Sequence, residues 1–267
     1  MSRRTTVLAC FVTSTLLTFV AATPADAATS YATTDYVALG DSYAAGVGAP
    51  GQSGLCLRGS NGYPALWTRR NQPASFQNLA CNGATTDDVL RFQLPFVGTK
   101  TDLVTVTIGG NDVGFVPAVA SCTISTDAAC ARVVAVARNY TNTVMPGKLD
   151  ATYRAIRQRA PKAKVVVLSY PMLFDTTSAN CGVGGMSLAK RRALNSGAQN
   201  LDEVIKDRTR AAGFTLADVR GVFAGHGACA AASWINALTV LPLTNSFHPT
   251  ATGYASGYLP TLTAALP

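Results

Sequence analysis

Four short motifs in this chain hold residue types that can do chemistry together. Ser42 stands in Gly40-Asp41-Ser42-Tyr43, and the chain has only two histidines, His226 and His248. A serine hydroxyl is a weak nucleophile until a neighbouring imidazole takes its proton. Cys81-Asn82-Gly83-Ala84-Thr85 supplies a glycine whose N–H can meet a substrate oxygen with no side chain in the way. Gly109-Gly110-Asn111-Asp112 supplies a side-chain amide that donates hydrogen bonds. Such donors, aimed at one oxygen, hold the negative charge that develops there. Each motif also has an ordinary use: Ser42 as a helix cap, Gly83 in a turn, Asn111 in an Asx turn. His226 lies in a Gly-flanked loop near Cys229, and His248 in Ser246-Phe247-His248-Pro249. Spacing alone does not choose between the two imidazoles.

The surrounding pattern says what must position these residues. Five short apolar runs read as strands: Tyr36–Leu39, Phe76–Ala80, Leu103–Ile108, Val165–Leu168 and Phe214–Val219. The third and fourth are rich in β-branched residues and do not alternate, as in strands buried on both faces. Leu194, Ala198, Leu201 and Ile205 recur on one helical face. Residues 131–159 read as helix broken at Pro146, and Pro161 ends it. Alternating strands and helices predict one α/β domain, a five-stranded, mostly parallel sheet in a three-layer α/β/α sandwich. Ligands in such folds sit beyond the carboxyl ends of the strands. The Ser42, Gly83 and Asn111 motifs each follow a predicted strand, so all three fall at that edge.

The N-terminus reads as a leader rather than as part of the fold. Arg3 and Arg4 precede an apolar run from Val7 to Ala22, and Ala25-Asp26-Ala27 is a small-x-small cleavage signal. A secretory signal peptide over residues 1–27 is expected, with a single catalytic domain over 28–267 and an extracellular destination. No later run is long and apolar enough to span a bilayer. Loss of Arg3, Arg4 and Asp26 takes the formal charge from +8 to +7. That surplus suits an anionic lipid interface or simple solubility. No basic run with interleaved aromatics occurs, so a nucleic-acid partner is not expected. Cys10 leaves with the leader, and six cysteines remain: Cys56, Cys81, Cys122, Cys130, Cys181 and Cys229. An even number in an exported chain implies disulfides, with fifteen pairings open. There is no C-x-x-C pair, no dinucleotide or Walker fingerprint and no G-x-S-x-G elbow, so neither metal nor cofactor is expected.

Taken in order, the four motifs resemble the conserved blocks of the SGNH (GDSL-type) hydrolases, with Ser42, Gly83, Asn111 and His248 as the residues that name the family. The likeness runs from Asp35 to the C-terminal Gly-Tyr-Leu-Pro, and is nearest to the secreted bacterial branch of lipases, esterases and phospholipases A1. It implies a flavodoxin-like sheet, with Ser42 as nucleophile and His248 as base. The Ser42 and Gly83 N–H groups and the Asn111 amide would form the oxyanion hole. It also implies the sequential disulfides Cys56–Cys81, Cys122–Cys130 and Cys181–Cys229. One departure bears on mechanism. Many members carry Asp three residues before the histidine; here that residue is Asn245, and no acidic residue occurs after Arg220. A Ser–His dyad is therefore expected, with the Ser246 carbonyl orienting His248. Asp41 is expected to be structural, and Asp87 and Asp88 to lie in a helix's first turn. A monomer acting on a lipid or small ester is expected, and the apolar residues Phe115, Val116, Leu94 and Phe96 near the site motifs are candidates to line an acyl groove. A carbohydrate acetylesterase and a catalytically silent secreted binding module are the alternatives.

Overall fold

The computed structural model describes residues 30–178, 181 and 186–266. The expected leader lies outside them. Strand β1 (Asp35–Gly40) is followed by a small antiparallel ribbon of β2 (Gln52–Ser53) and β3 (Arg58–Gly59). Then come β4 (Ser75–Asn78), β5 (Leu103–Thr107), β6 (Lys164–Leu168) and β7 (Thr215–Ala217). The main sheet runs β4-β1-β5-β6-β7, and every neighbouring pair is parallel. Its register stacks apolar side chains in rows. Leu39 pairs with Val106, Val106 with Val167, and Val167 with Leu216. All five residues of β5 are buried, which is why its sequence shows no alternation.

Helices cover both faces. One group is α1 (Ser42–Ala45), α2 (Tyr63–Asn71) and α8 (Leu259–Ala264), in which α2 packs on α1 and α8. The other is α3 (Thr86–Asp88), α4 (Phe115–Ile124), α5 (Asp127–Thr143), α6 (Met145–Arg159) and α7 (Leu188–Ala211), in which α5, α6 and α7 pack on one another. Leu194, Leu201 and Ile205 form the buried face of α7. Pro146 lies in the first turn of α6, where its missing N–H has no helical partner to lose. It therefore begins a second helix immediately after α5. The cysteines are joined in the sequential pairing, Cys56–Cys81, Cys122–Cys130 and Cys181–Cys229. The first ties the β2–β3 ribbon to the turn after β4, and the second fastens the end of α4 to the start of α5. Closing so short a loop stabilises the fold by about 2–3 kcal/mol on chain-entropy grounds.

The strand order fixes where a ligand can sit. From β1 the chain goes to β4 on one side, then crosses to β5 on the other. The loops after β1 and β5 therefore part from each other and open a crevice at the sheet's carboxyl edge.

Candidate active site

Ser42 stands at that crevice because the chain turns sharply from strand into helix. Gly40 closes β1 at φ +127°, and a Cβ there would collide with the Thr107 carbonyl of β5. Only glycine permits both the angle and the approach. Asp41 then caps α1, its Oδ1 accepting the Tyr43 N–H at 3.0 Å. Its other oxygen accepts the Tyr170 phenol, and that phenol accepts the Gly110 N–H at 3.0 Å. Asp41 thus joins the turn after β1 to those after β5 and β6. Burial pushes its carboxyl up to about 7, against the hydrogen bonds from Tyr170 and Tyr43. The Ser42 N–H lies in the first turn of α1, where amides have no intrahelical acceptor.

His248 comes to Ser42 from the far end of the chain. Its Nε2 is 2.7 Å from Ser42 Oγ, and its Nδ1 is 3.0 Å from the Ser246 carbonyl oxygen. A proton on Nδ1 donates to that carbonyl and leaves the Nε2 lone pair facing the hydroxyl. Both residues are buried. Desolvation lowers the His248 pKa to about 4, while the Ser246 and Thr244 carbonyls act the other way. Among the described residues no carboxylate hydrogen-bonds this imidazole; Asn245 Oδ1 instead accepts from Gln52 Nε2 at 2.9 Å. The His248 loop is held by Tyr43, whose hydroxyl donates to the Phe247 carbonyl at 2.7 Å. Asn236 Nδ2 donates to the carbonyls of both Gly48 and His248 at 3.0 Å. His226 is elsewhere, stacked on Trp234 with its Nδ1 2.7 Å from the Ala232 carbonyl.

The other two motifs approach the same edge. Asn111 lines the cleft with Ser42 and His248, and its Nδ2 donates to the Ala84 carbonyl at 2.9 Å. Gly83, at φ +79°, does not line that cleft but a separate groove, with Asn82 and Arg58. Thr85 and Asp88 close a reciprocal cap on α3, and Asp87 sits beside them in its first turn. Asp112 accepts the N–H and the hydroxyl of Thr86, which binds the Asn111 turn to the Gly83 turn.

The cleft encloses about 750 Å³ when the space open to solvent at its mouth is counted. Its walls include Val113, Phe115, Val134, Leu173, Leu194 and Leu201 from α4, α5, α7 and the loops beside them. Phe115 and Val116 line it as expected from the sequence. Leu94 and Phe96 do not. They follow the Gly83 block in a short turn that packs toward α6, with Leu94 buried and Phe96 exposed. Sequence reasoning also passed over Gly48, Asn236, Tyr170 and the bracing role of Asp112. No local pattern marks the first three, because their partners lie far away along the chain.

A parallel α/β sheet carrying a contacting serine and imidazole beside amide donors, over an apolar cleft, defines a serine-hydrolase type of site. Residues 38–256 match the GDSL-like Lipase/Acylhydrolase family, and the chain belongs to it. It is a carboxylic ester hydrolase. The chain is 42% identical over 268 aligned positions to a lipase of Streptomyces rimosus, covering 99% of each. Among solved structures it is similar to phospholipase A1 of Streptomyces albidoflavus NA297, with 40% identity and a TM-score of 0.85 over 88% of this chain and all of that one. The extracellular lipase of S. rimosus is also similar, with 45% identity and a TM-score of 0.83 over 87% of this chain and 99% of that one.

Proposed function

We propose that this chain is an exported lipase or phospholipase that cleaves acyl esters of lipids through a Ser42–His248 dyad. The observation that carries the reading is the 2.7 Å contact between Ser42 Oγ and His248 Nε2 beside the apolar cleft. Ser42 attacks the ester carbonyl as His248 takes its proton; the imidazole then returns that proton to the leaving alcohol. The acyl group stays on Ser42 until His248 activates a water to release it. The Ser42 and Gly83 N–H groups and the Asn111 amide hold the oxyanion in both halves. Ser246 offers its backbone carbonyl where a triad would offer a carboxylate. The apolar walls of the cleft suit an acyl chain better than an acetyl group. The exposed guanidinium of Arg138 also lines it, a cation suited to a phospholipid phosphate.

The test is a hydrolysis panel of triacylglycerol, phospholipid, short soluble nitrophenyl esters and acetylated polysaccharide, with Ser42→Ala as control. Long-chain esters should be cleaved and the control should be inactive. Activity confined to acetates would replace the lipid reading with the acetylesterase one. A wild-type protein that neither hydrolyses any ester nor takes a fluorophosphonate label would leave a binding module.

A further inference from the structure

Two apolar segments, one lining the cleft and one leading into His248, turn side chains to water. Helix α4 has no polar face. No charged residue occurs from Val113 to Thr126. One side of the helix buries Ala118, Val119 and Cys122. The other presents Val116, Ala120 and Ile124, spaced four apart, with Val116 59% and Ile124 88% exposed. The helix's polar side chains are Ser121 and Thr123 alone, so its open flank is apolar where a surface helix ordinarily turns a polar face to water. The second segment is the loop that leads into His248, where Val240, Leu241 and Leu243 are 80%, 90% and 64% exposed. It is tied to the site, since the Thr239 N–H donates to Ser246 Oγ at 2.9 Å and Asn245 meets Gln52. No charged residue occurs from Gly221 to Pro267 or from Tyr43 to Leu57.

We propose that the outer stripe of α4 and the 239–246 loop form a face that docks on the apolar surface of a phospholipid aggregate and seats the cleft mouth against it. The inference rests on the lipid-ester reading above. Three features select a lipid surface over a protein partner. Helix α4 lines the cleft and the loop runs directly into His248, so a protein bound there would cover the way to Ser42, whereas a lipid surface would deliver substrate to it. The exposed apolar side chains are few, where a stable protein interface draws on about 20–30 residues a side. The segments carry no charge, so their insertion strips no ion of its water. The Cys122–Cys130 disulfide holds the end of α4 to α5, making the face a fixed one rather than a swinging cover.

The experiment uses the full chain carrying Ser42→Ala, so that lipid is not consumed, and measures flotation with phosphatidylcholine vesicles at low and high salt. The protein should bind zwitterionic vesicles with little salt dependence. Ile124→Glu and Leu241→Glu should each weaken binding by about tenfold or more, from the lost burial of a large apolar side chain and the added charge. Ile124→Lys should do the same, which separates loss of apolar contact from a change of sign. In the active background, hydrolysis of a short soluble ester should be unchanged in all three, which also shows that they fold. Failure of the parent to bind, undiminished binding by the variants, or binding lost at high salt would overturn the proposal. So would concentration-dependent dimerisation abolished by Ile124→Glu, which would make the face a contact between copies. If the hydrolase reading itself failed, soluble-ester turnover would be missing from the parent while vesicle binding stayed readable.

Discussion

The Asp112 carboxylate accepts both the N–H and the hydroxyl of Thr86, at 2.9 and 2.7 Å, and so clamps the turn carrying Gly83 to the turn carrying Asn111. Its side chain is 1% exposed, with Lys148 Nζ 3.6 Å away. Asp112 does not line the cleft; it braces the turns that carry two of the proposed oxyanion donors. Asp112→Ala leaves the Thr86 donors unpaired and should lower stability by about 1–3 kcal/mol. It should also reduce kcat on a short soluble ester by about tenfold or more with little change in KM, because a misplaced donor weakens the transition state selectively. Asp112→Asn keeps an acceptor for Thr86 and should restore part of kcat. Thermal unfolding and steady-state kinetics read both; a loss of stability with kcat intact would make the clamp merely structural.

Asn245 stands three residues before His248, where a triad reading would look for a carboxylate, and its side chain is engaged by Gln52. Asn245→Ala should keep kcat/KM within a few-fold of the parent, since His248 is oriented by a backbone carbonyl that the substitution leaves in place. Asn245→Asp should bring no large gain. A fall of several orders of magnitude in Asn245→Ala would mean that the dyad reading is wrong.

The sheet was legible in the sequence because strands buried on both faces must be apolar throughout. The runs at Leu103 and Val165 show this and are found within a residue of where they were expected. The site motifs were legible because glycines and polar residues interrupt those runs at the carboxyl ends. The ribbon at Gln52–Ser53 and Arg58–Gly59 is too short to carry a period. Tyr170 and Asn236 look like ordinary loop residues. Their meaning comes from partners 129 and 188 positions away, Asp41 and Gly48, which only the folded chain brings near. Leu94 was misplaced for a related reason: an apolar residue close to a motif in sequence is as ready to enter the core as the cleft.

Two buried titrating groups at the site pull stability in opposite directions with pH. His248 has its folded pKa lowered to about 4 from 6.5, so the unfolded chain binds its proton first. Its contribution is present above pH 6.5 and is lost as pH falls through 4. Asp41 has its folded pKa raised to about 7 from 3.8. Its contribution is present below pH 3.8 and is lost as pH rises through 7. Asp41→Asn removes the second dependence, so the Tm difference between variant and parent should shift in the variant's favour as pH rises from 4 to 8. The neutral imidazole that the proposed base needs also persists into acid. The acid limb of kcat/KM on a soluble ester should therefore fall well below pH 6.5, toward 4. A limb centred at 6.5 or above would show that His248 titrates as a solvated imidazole.

Gly48 lies directly beneath His248, the proposed base. Its φ is +99°, and a Cβ built there would stand 2.7 Å from the Cβ of His248 and 2.5 Å from the Pro249 carbonyl oxygen. Neither neighbour can yield without moving the imidazole, because Asn236 holds the carbonyls of both Gly48 and His248. Gly48→Ala should therefore displace Nε2 from Ser42 Oγ, and a shift of about 1 Å in such a contact can cost about 10²-fold in rate. The loss should fall on kcat, with KM for a soluble ester nearly unchanged, and fluorophosphonate labelling of Ser42 should slow in parallel. Gly54 is the control: it also has positive φ, +68°, but a Cβ there meets nothing within 4 Å. Gly54→Ala should show only the modest stability cost of the backbone angle, about 1–2 kcal/mol. Equal kinetic effects at the two glycines would remove the argument that crowding at position 48, rather than backbone strain alone, sets the place of the base.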